Sequence, residues 1–283
     1  MSNACLTALI VAFIAPISFP AAGQATDAPP AAEAKAEPDA AATVRSALAR
    51  IGGDGWSRIK SFESTATARS AVGDARIEYR FVAPDARRLL QSMPGGRGVI
   101  EMGVVGGKAW MGEPGRARAI DPRIAEEMAG GGDLQTLVHS LDARFEDFTA
   151  KGKSAIGGRE AWRIEMKPRA NALAGMPATA WTVYIDTMNA TILGLDIPAP
   201  QGDAAANAPS PGGQTIRFSE WREVERAKTD APPDARPRPL LCFGKAEIES
   251  GGMKVVLEFD RVAVDTLEPG SIAAPAVIEP GQP

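Results

Sequence analysis

MGVVGGKAWMGEPG, residues 102–115, decides how this chain folds. A glycine pair followed by lysine suggests either a phosphate-cradling loop or the tip of a β-hairpin. A phosphate loop needs a glycine, four residues, then Gly-Lys-Ser or Gly-Lys-Thr, so that backbone N–H groups ring the phosphates and the hydroxyl holds magnesium. Here Ala109 follows Gly107-Lys108, and Met102 stands where the leading glycine should be. A dinucleotide fingerprint would open a helix, whereas this stretch lies between two strand-like runs. Gly106-Gly107 between apolar segments is therefore a two-residue hairpin turn, and Trp110 lies on the strand that follows.

Outward from that turn the hydrophobic period is two. In RIEYRFVAP (76–84), Ile77, Tyr79 and Phe81 alternate with Glu78 and Arg80 until Pro84 closes the run, the pattern of a strand with one dry face. ARRLLQSM, GVIEMGVV and KAWMG continue it, and Gly157-Gly158 turns a second hairpin inside RFEDFTAKGKSAIGGREAWRIEMKP (144–168). TAWTVYID and ATILGLDIP form the next pair, with Trp181, Val183 and Ile185 on one face. TIRFSEWREVERAK, PRPLLCFGKAEIES and KVVLEFDRVAV close the series.

Two segments have helical period. AATVRSALARIGG (41–53) puts Val44, Leu48 and Ile51 on one side and ends at two glycines. DPRIAEEMAGGGDLQTLVHSLD (121–142) gives two short helices, the second capped by Asp133 with Leu134, Leu137, Val138 and Leu141 along one side. The expected fold class is α+β and mainly antiparallel β. About eleven strands in one sheet must curl into a half-barrel, with the short helices covering its concave face.

Residues 1–25 hold an uncharged apolar segment from Cys5 to Phe19 and end on Gly-Gln-Ala, a cleavable export signal. Residues 26–40 are Ala, Pro and acid, a disordered tether. The domain is expected over 41–268 and a loose Pro- and Gly-rich tail over 269–283. APQGDAAANAPSPGGQ is a polar insert between strands. After signal removal Cys242 is the only cysteine, which excludes an intramolecular disulfide and leaves a buried thiol as the expectation. No second apolar stretch is long enough to span a membrane.

A net charge of -4 over 283 residues, without a basic stripe, argues against nucleic-acid binding. Zinc sites built from His and Cys clusters are excluded by one histidine and one mature cysteine. His139 stands beside Val138 as a solvated or core-edge residue, with no serine or cysteine partner at a recognisable spacing. Glu126-Glu127 and Glu146-Asp147 have the composition of an acid/base pair in a cleft, but solvated faces are the expectation. No enzymatic motif emerges and no cofactor is implied. Four of the five tryptophans, Trp110, Trp162, Trp181 and Trp221, fall in strands, where they either pack a core or line a cavity.

Five stretches together resemble the periplasmic lipoprotein-carrier superfamily, the LolA/LolB-like fold. They are the helix of residues 42–51 leading into RIKSFESTATAR; RFVAPDARR; GVVGGKAWMGEPGRARAID; WTVYIDTMNATILGLDI; and VVLEFDRVAVDTLEPGSIAAP. The resemblance implies a half-barrel that holds acyl chains on its concave face under a helical lid. The expectation is a non-enzymatic protein, periplasmic or otherwise exported, that binds a lipid, an acyl chain or a lipoprotein-like hydrophobic ligand in the half-barrel cavity. Candidate cavity residues on the strands are Tyr79, Phe81, Leu90, Met102, Trp110, Trp162 and Trp181. Leu137 and Leu141 are the candidates on the second helix. The alternative is an envelope protein-interaction or sensor module whose cavity is vestigial.

Overall fold

The computed structural model describes residues 38–96, 98–121, 134–170, 179–199, 213–227 and 239–275. The signal, most of the tether, the first of the two central helices with Glu126-Glu127, the Asp133 cap and nearly all of the polar insert lie outside the described residues.

Helix α1 (Ala40–Arg50) starts where the Asp39 carboxylate accepts from Ala42 N at 3.0 Å, satisfying one of the donors that a first helical turn leaves open. Val44, Ala47 and Leu48 are buried, and Ile51 follows at the C-cap. Burying each such aliphatic side chain is worth about 1.5–3 kcal/mol, which holds a helix too short to persist alone in water. A 3-10 turn, Gly53–Arg58, then brings Trp56 onto the sheet.

The strands follow in chain order: β1 (Ser61–Ser70), β2 (Gly73–Val82), β3 (Ala86–Ser92), β4 (Val99–Val105), β5 (Lys108–Glu113) and β6 (Arg116–Ala119). Helices α2 (Leu134–His139) and α3 (Leu141–Arg144) come next. Then come β7 (Phe145–Ile156), β8 (Arg159–Pro168), β9 (Trp181–Asp186), β10 (Ile192–Ile197), β11 (Gln214–Glu223), β12 (Glu225–Arg226), β13 (Leu241–Ser250) and β14 (Met253–Val264). The single sheet runs β6-β5-β4-β3-β2-β1-β14-β13-β11-β10-β9-β8-β7, with β12 paired parallel to β14. Every other pairing is antiparallel.

The described residues form fourteen strands where about eleven were expected. The additions include β6 and β12, four and two residues long, too short to display a period. The hairpin turns are as expected: Gly106-Gly107 and Gly157-Gly158 have φ of 56°, 74°, 55° and 77°, the left-handed pair that a type I′ turn requires.

The sheet is an open half-barrel. Its two meanders, β1–β6 and β7–β13, are joined by β14, which pairs with β1 from Phe62↔Val264 to Ser70↔Val255. The open edges are β6 and β7. Register shifts interrupt β7 at Glu146/Thr149 and Ala150/Lys153, which blunts a twelve-residue edge against unwanted pairing. One face carries α1, α2 and α3 over the main core; the other carries smaller apolar clusters.

Candidate functional site

The helix-side face divides into a filled half and a half with accessible apolar surface. Over β7–β10 the space beneath the helices is packed. Leu141, Phe145, Ile164, Met166, Trp181, Val183, Ile185, Ile192 and Leu195 are all fully enclosed, and the rings of Phe145 and Trp181 lie 5.1 Å apart. Close packing of this kind leaves no room for a ligand without helix movement. Over β1–β5 and β14 the same face carries Ala68, Tyr79, Ile100, Met111, Val255 and Phe259, only partly buried against the core that includes Ile77, Leu89 and Met102.

Five hydrogen bonds set the helices in place. Ile51 O, past the end of α1, accepts from Trp56 Nε1 at 2.9 Å and from Leu241 N at 3.0 Å. Gln135 Nε2 on α2 donates to Phe243 O at 2.8 Å. Arg144 Nε on α3 donates to Ser140 Oγ at 2.8 Å, and Arg144 O accepts from Arg169 N at 2.8 Å.

The structure divides the nine sequence candidates. Tyr79, Phe81, Met102, Trp162 and Trp181 project from the helix-side face, and Leu137 and Leu141 pack down onto it. Phe81 sits toward the Trp56 end, with the Arg87 guanidinium 4.9 Å over its ring. Trp162 lies near the β7 edge under the Lys153 ammonium, 4.7 Å from its ring centroid.

Trp110 and Leu90 stand on the opposite face. Met102 pairs with Met111 and Gly103 with Trp110; since Met102 and Met111 belong to the helix side, strand alternation turns the indole away. It is fully buried there, flat over Gly103, with Nε1 donating to Glu101 Oε1 at 3.4 Å. Arg88 Nε meets the same carboxylate at 3.0 Å. Leu90 alternates with the buried Leu89 and pairs with Glu101, so it shares the Trp110 side.

Sequence periodicity missed Ile100, Met111, Val255 and Phe259 as helix-side residues. The signal for Met111 was its pairing across the Gly106-Gly107 turn. Cys242 is buried, as expected; burial pushes its thiol up to about 11, against the nearby Arg222 guanidinium, which pulls the other way. Glu146 is half-buried and Asp147 exposed, and they pair with Arg169 and Lys167 at 2.9 and 3.1 Å. Among the described residues no group of three or more His, Cys, Asp or Glu side chains is placed to hold a metal ion. His139 stands at the core edge, one of its two expected positions: the residue is half-buried, with its imidazole between Trp56 and Trp221 and both ring nitrogens enclosed.

An open antiparallel half-barrel with short helices on one face, and an apolar surface beside them, defines the class of this molecule. The architecture is the open, curved half-barrel that the sequence resemblance implied. It is similar to a DUF1329 family protein from Desulfovibrio piger, at 12% identity and a TM-score of 0.50, over 81% of this chain and 95% of that one. It is also similar to a LolA superfamily protein from Nitrosomonas europaea, at 10% identity and a TM-score of 0.48, over 83% and 97%. No protein-family model and no curated protein matches the sequence. Among the described residues no helix is long and apolar enough to cross a membrane.

Proposed function

We propose that this chain is an exported, non-enzymatic binding protein that takes a lipid, an acyl chain or the acyl chains of a lipoprotein on the helix-side face of the half-barrel. The observation that carries the reading is the partly exposed apolar surface of β1–β5 and β14, formed by Tyr79, Ile100, Met111, Val255 and Phe259. Covering apolar surface yields roughly 25 cal/mol per Å², so a chain laid along this strip gains affinity without directional contacts. Arg87, over Phe81, places a cation at the same face, suited to an anionic headgroup. Tyr79, Phe81 and Met102 are then wall residues, while Trp162, Trp181, Leu137 and Leu141 support the wall and the helices over it. Export rests on the signal of residues 1–25, with residues 26–40 as the tether.

Titration of the purified chain with a fluorescent fatty acid tests the reading. Saturable binding is expected, with loss of at least tenfold in affinity in Met111→Glu and no loss in an opposite-face Leu90→Glu control. Absence of saturable binding, or equal loss in both variants, overturns it. A stoichiometric envelope protein recovered with the chain, with no lipid, would favour the interaction module instead.

A further inference from the structure

His139 is the only histidine in the chain, and it ends α2. Its imidazole stacks on Trp56 with ring centroids 3.7 Å apart and planes 12° from parallel. Trp221 meets it edge-on at 6.3 Å and 85°. Both indoles are held independently of the imidazole: Trp56 Nε1 donates to Ile51 O at 2.9 Å, and Trp221 Nε1 to Ile192 O at 3.2 Å. The slot therefore joins the turn after α1 to β11, and α2 enters it by one side chain.

That side chain enters with its polar capacity unmet. Neither Nδ1 nor Nε2 has a hydrogen-bond partner among the described residues. Gln135, one helical turn earlier on the same face, anchors through Nε2 to Phe243 O but leaves Oε1 without a partner. A neutral imidazole presents one N–H and one lone pair; both are withdrawn from water here, and such groups oppose docking. Stacking and the burial of Leu137 and Val138 hold the helix down.

We propose that His139 makes α2 a proton-released latch: uptake of a proton from solvent by the imidazole expels it from the Trp56–Trp221 slot and frees α2 from the helix-side face. The inference holds whether or not a lipid is the ligand. An imidazolium has two N–H donors and a charge, and among the described residues the slot offers neither a hydrogen-bond acceptor nor a counter-ion, only the two indole rings. The charged groups on the surrounding elements are engaged elsewhere. Asp54 and Arg58 of the 3-10 turn face solvent as a pair at 3.8 Å. Arg144 of α3 bonds Ser140, and its neighbour Asp142 is exposed. On β11, Arg217 pairs with Asp196, Arg222 donates to Phe259 O, and Glu220 and Glu223 are exposed. On β13, Cys242 is raised and Lys245 pairs with Glu247 at 3.1 Å.

Burial alone holds the imidazole well below its ordinary value. Docked α2 thus binds fewer protons than undocked α2, whose histidine titrates near the usual 6.5. Docking is fully present above about pH 6.5 and weakens as pH falls, the opening constant rising about tenfold per pH unit until the docked imidazole itself titrates.

Amide hydrogen exchange of the full chain between pH 7.5 and 5, corrected for intrinsic rates, reads this directly. The opening constants at Leu137 and Val138 should rise about tenfold per unit below about pH 6.5, while those of β9 stay constant. His139→Phe keeps an aromatic ring without a titrating nitrogen and should flatten the dependence. In the unmodified chain the lone histidine NMR signal should titrate together with the loss of protection. A flat profile in the unmodified chain, a parallel rise in His139→Phe, or titration of His139 near 6.5 with α2 still protected would each overturn the proposal.

Discussion

Gly103→Ala is the sharpest probe of how β4 and β5 face each other. A Cβ built on Gly103 falls 2.0 Å from Cζ2, 2.5 Å from Cη2 and 2.6 Å from Cε2 of Trp110. Three atoms of one rigid ring lie well inside contact distance, so the indole has to move as a unit. Trp110 is fully buried, and its N–H sits 3.4 Å from the Glu101 carboxylate that also meets Arg88. Overpacking of a close-packed site costs about 1–3 kcal/mol; with a ring between two hydrogen-bonded strands, the upper end, about 3 kcal/mol, applies. For a domain of this size each kcal/mol lowers the midpoint by about 2–4 °C, so a fall of about 6–12 °C is expected. Urea unfolding of Gly103→Ala, Trp110→Ala and the double variant gives the cycle. Trp110→Ala alone should cost about 3–5 kcal/mol, and the alanine at 103 should then add little, a coupling of about 2 kcal/mol or more. Destabilisation of Gly103→Ala below about 0.5 kcal/mol, or additive single effects, would refute the pairing. Fatty-acid affinity should survive in a folded Trp110 variant, because the indole is on the face away from the helices.

The Tyr184 phenol should titrate late. Burial first, and then the 2.6 Å hydrogen bond to Asp196 and its charge, push it up to about 12; in Asp196→Asn the ultraviolet ionisation curve should shift down while burial keeps it above 10. Cys242 should resist a thiol reagent in the native chain and react at least a hundredfold faster in denaturant, since burial raises the thiol to about 11; equal rates would show an open site.

Much of the sheet was legible because alternation is a local property. Ile77, Tyr79 and Phe81 declared β2, and the glycine pairs declared their turns through the positive φ that only glycine adopts freely. Which face is inside was harder. A two-residue turn at Gly106-Gly107 pairs Val105 with Lys108, hence Met102 with Met111, so Met102 and Trp110 cannot share a face. Assigning both to one cavity overlooked that parity. The β1–β14 seam joins residues about two hundred positions apart, and β1, SFESTATARS, offers only Phe62 as a large apolar side chain. No local pattern reports such a pairing. The slot around His139 was illegible for a related reason: it is assembled from Trp56 and Trp221, each remote in sequence, and helical periodicity carries no information about what a helix meets. The filled half under α1–α3 also arises from long-range packing, which is why Trp181, Leu137 and Leu141 could be placed on the correct side without revealing that the space around them is occupied.

Native mass spectrometry of the full chain purified under mild conditions from the cells that make it tests the central claim most directly. A bound species with the mass of a lipid or fatty acid is expected, recovered by organic extraction and diminished in Met111→Glu. A chain carrying no lipid, whose interior also admits no added fatty acid, would contradict it.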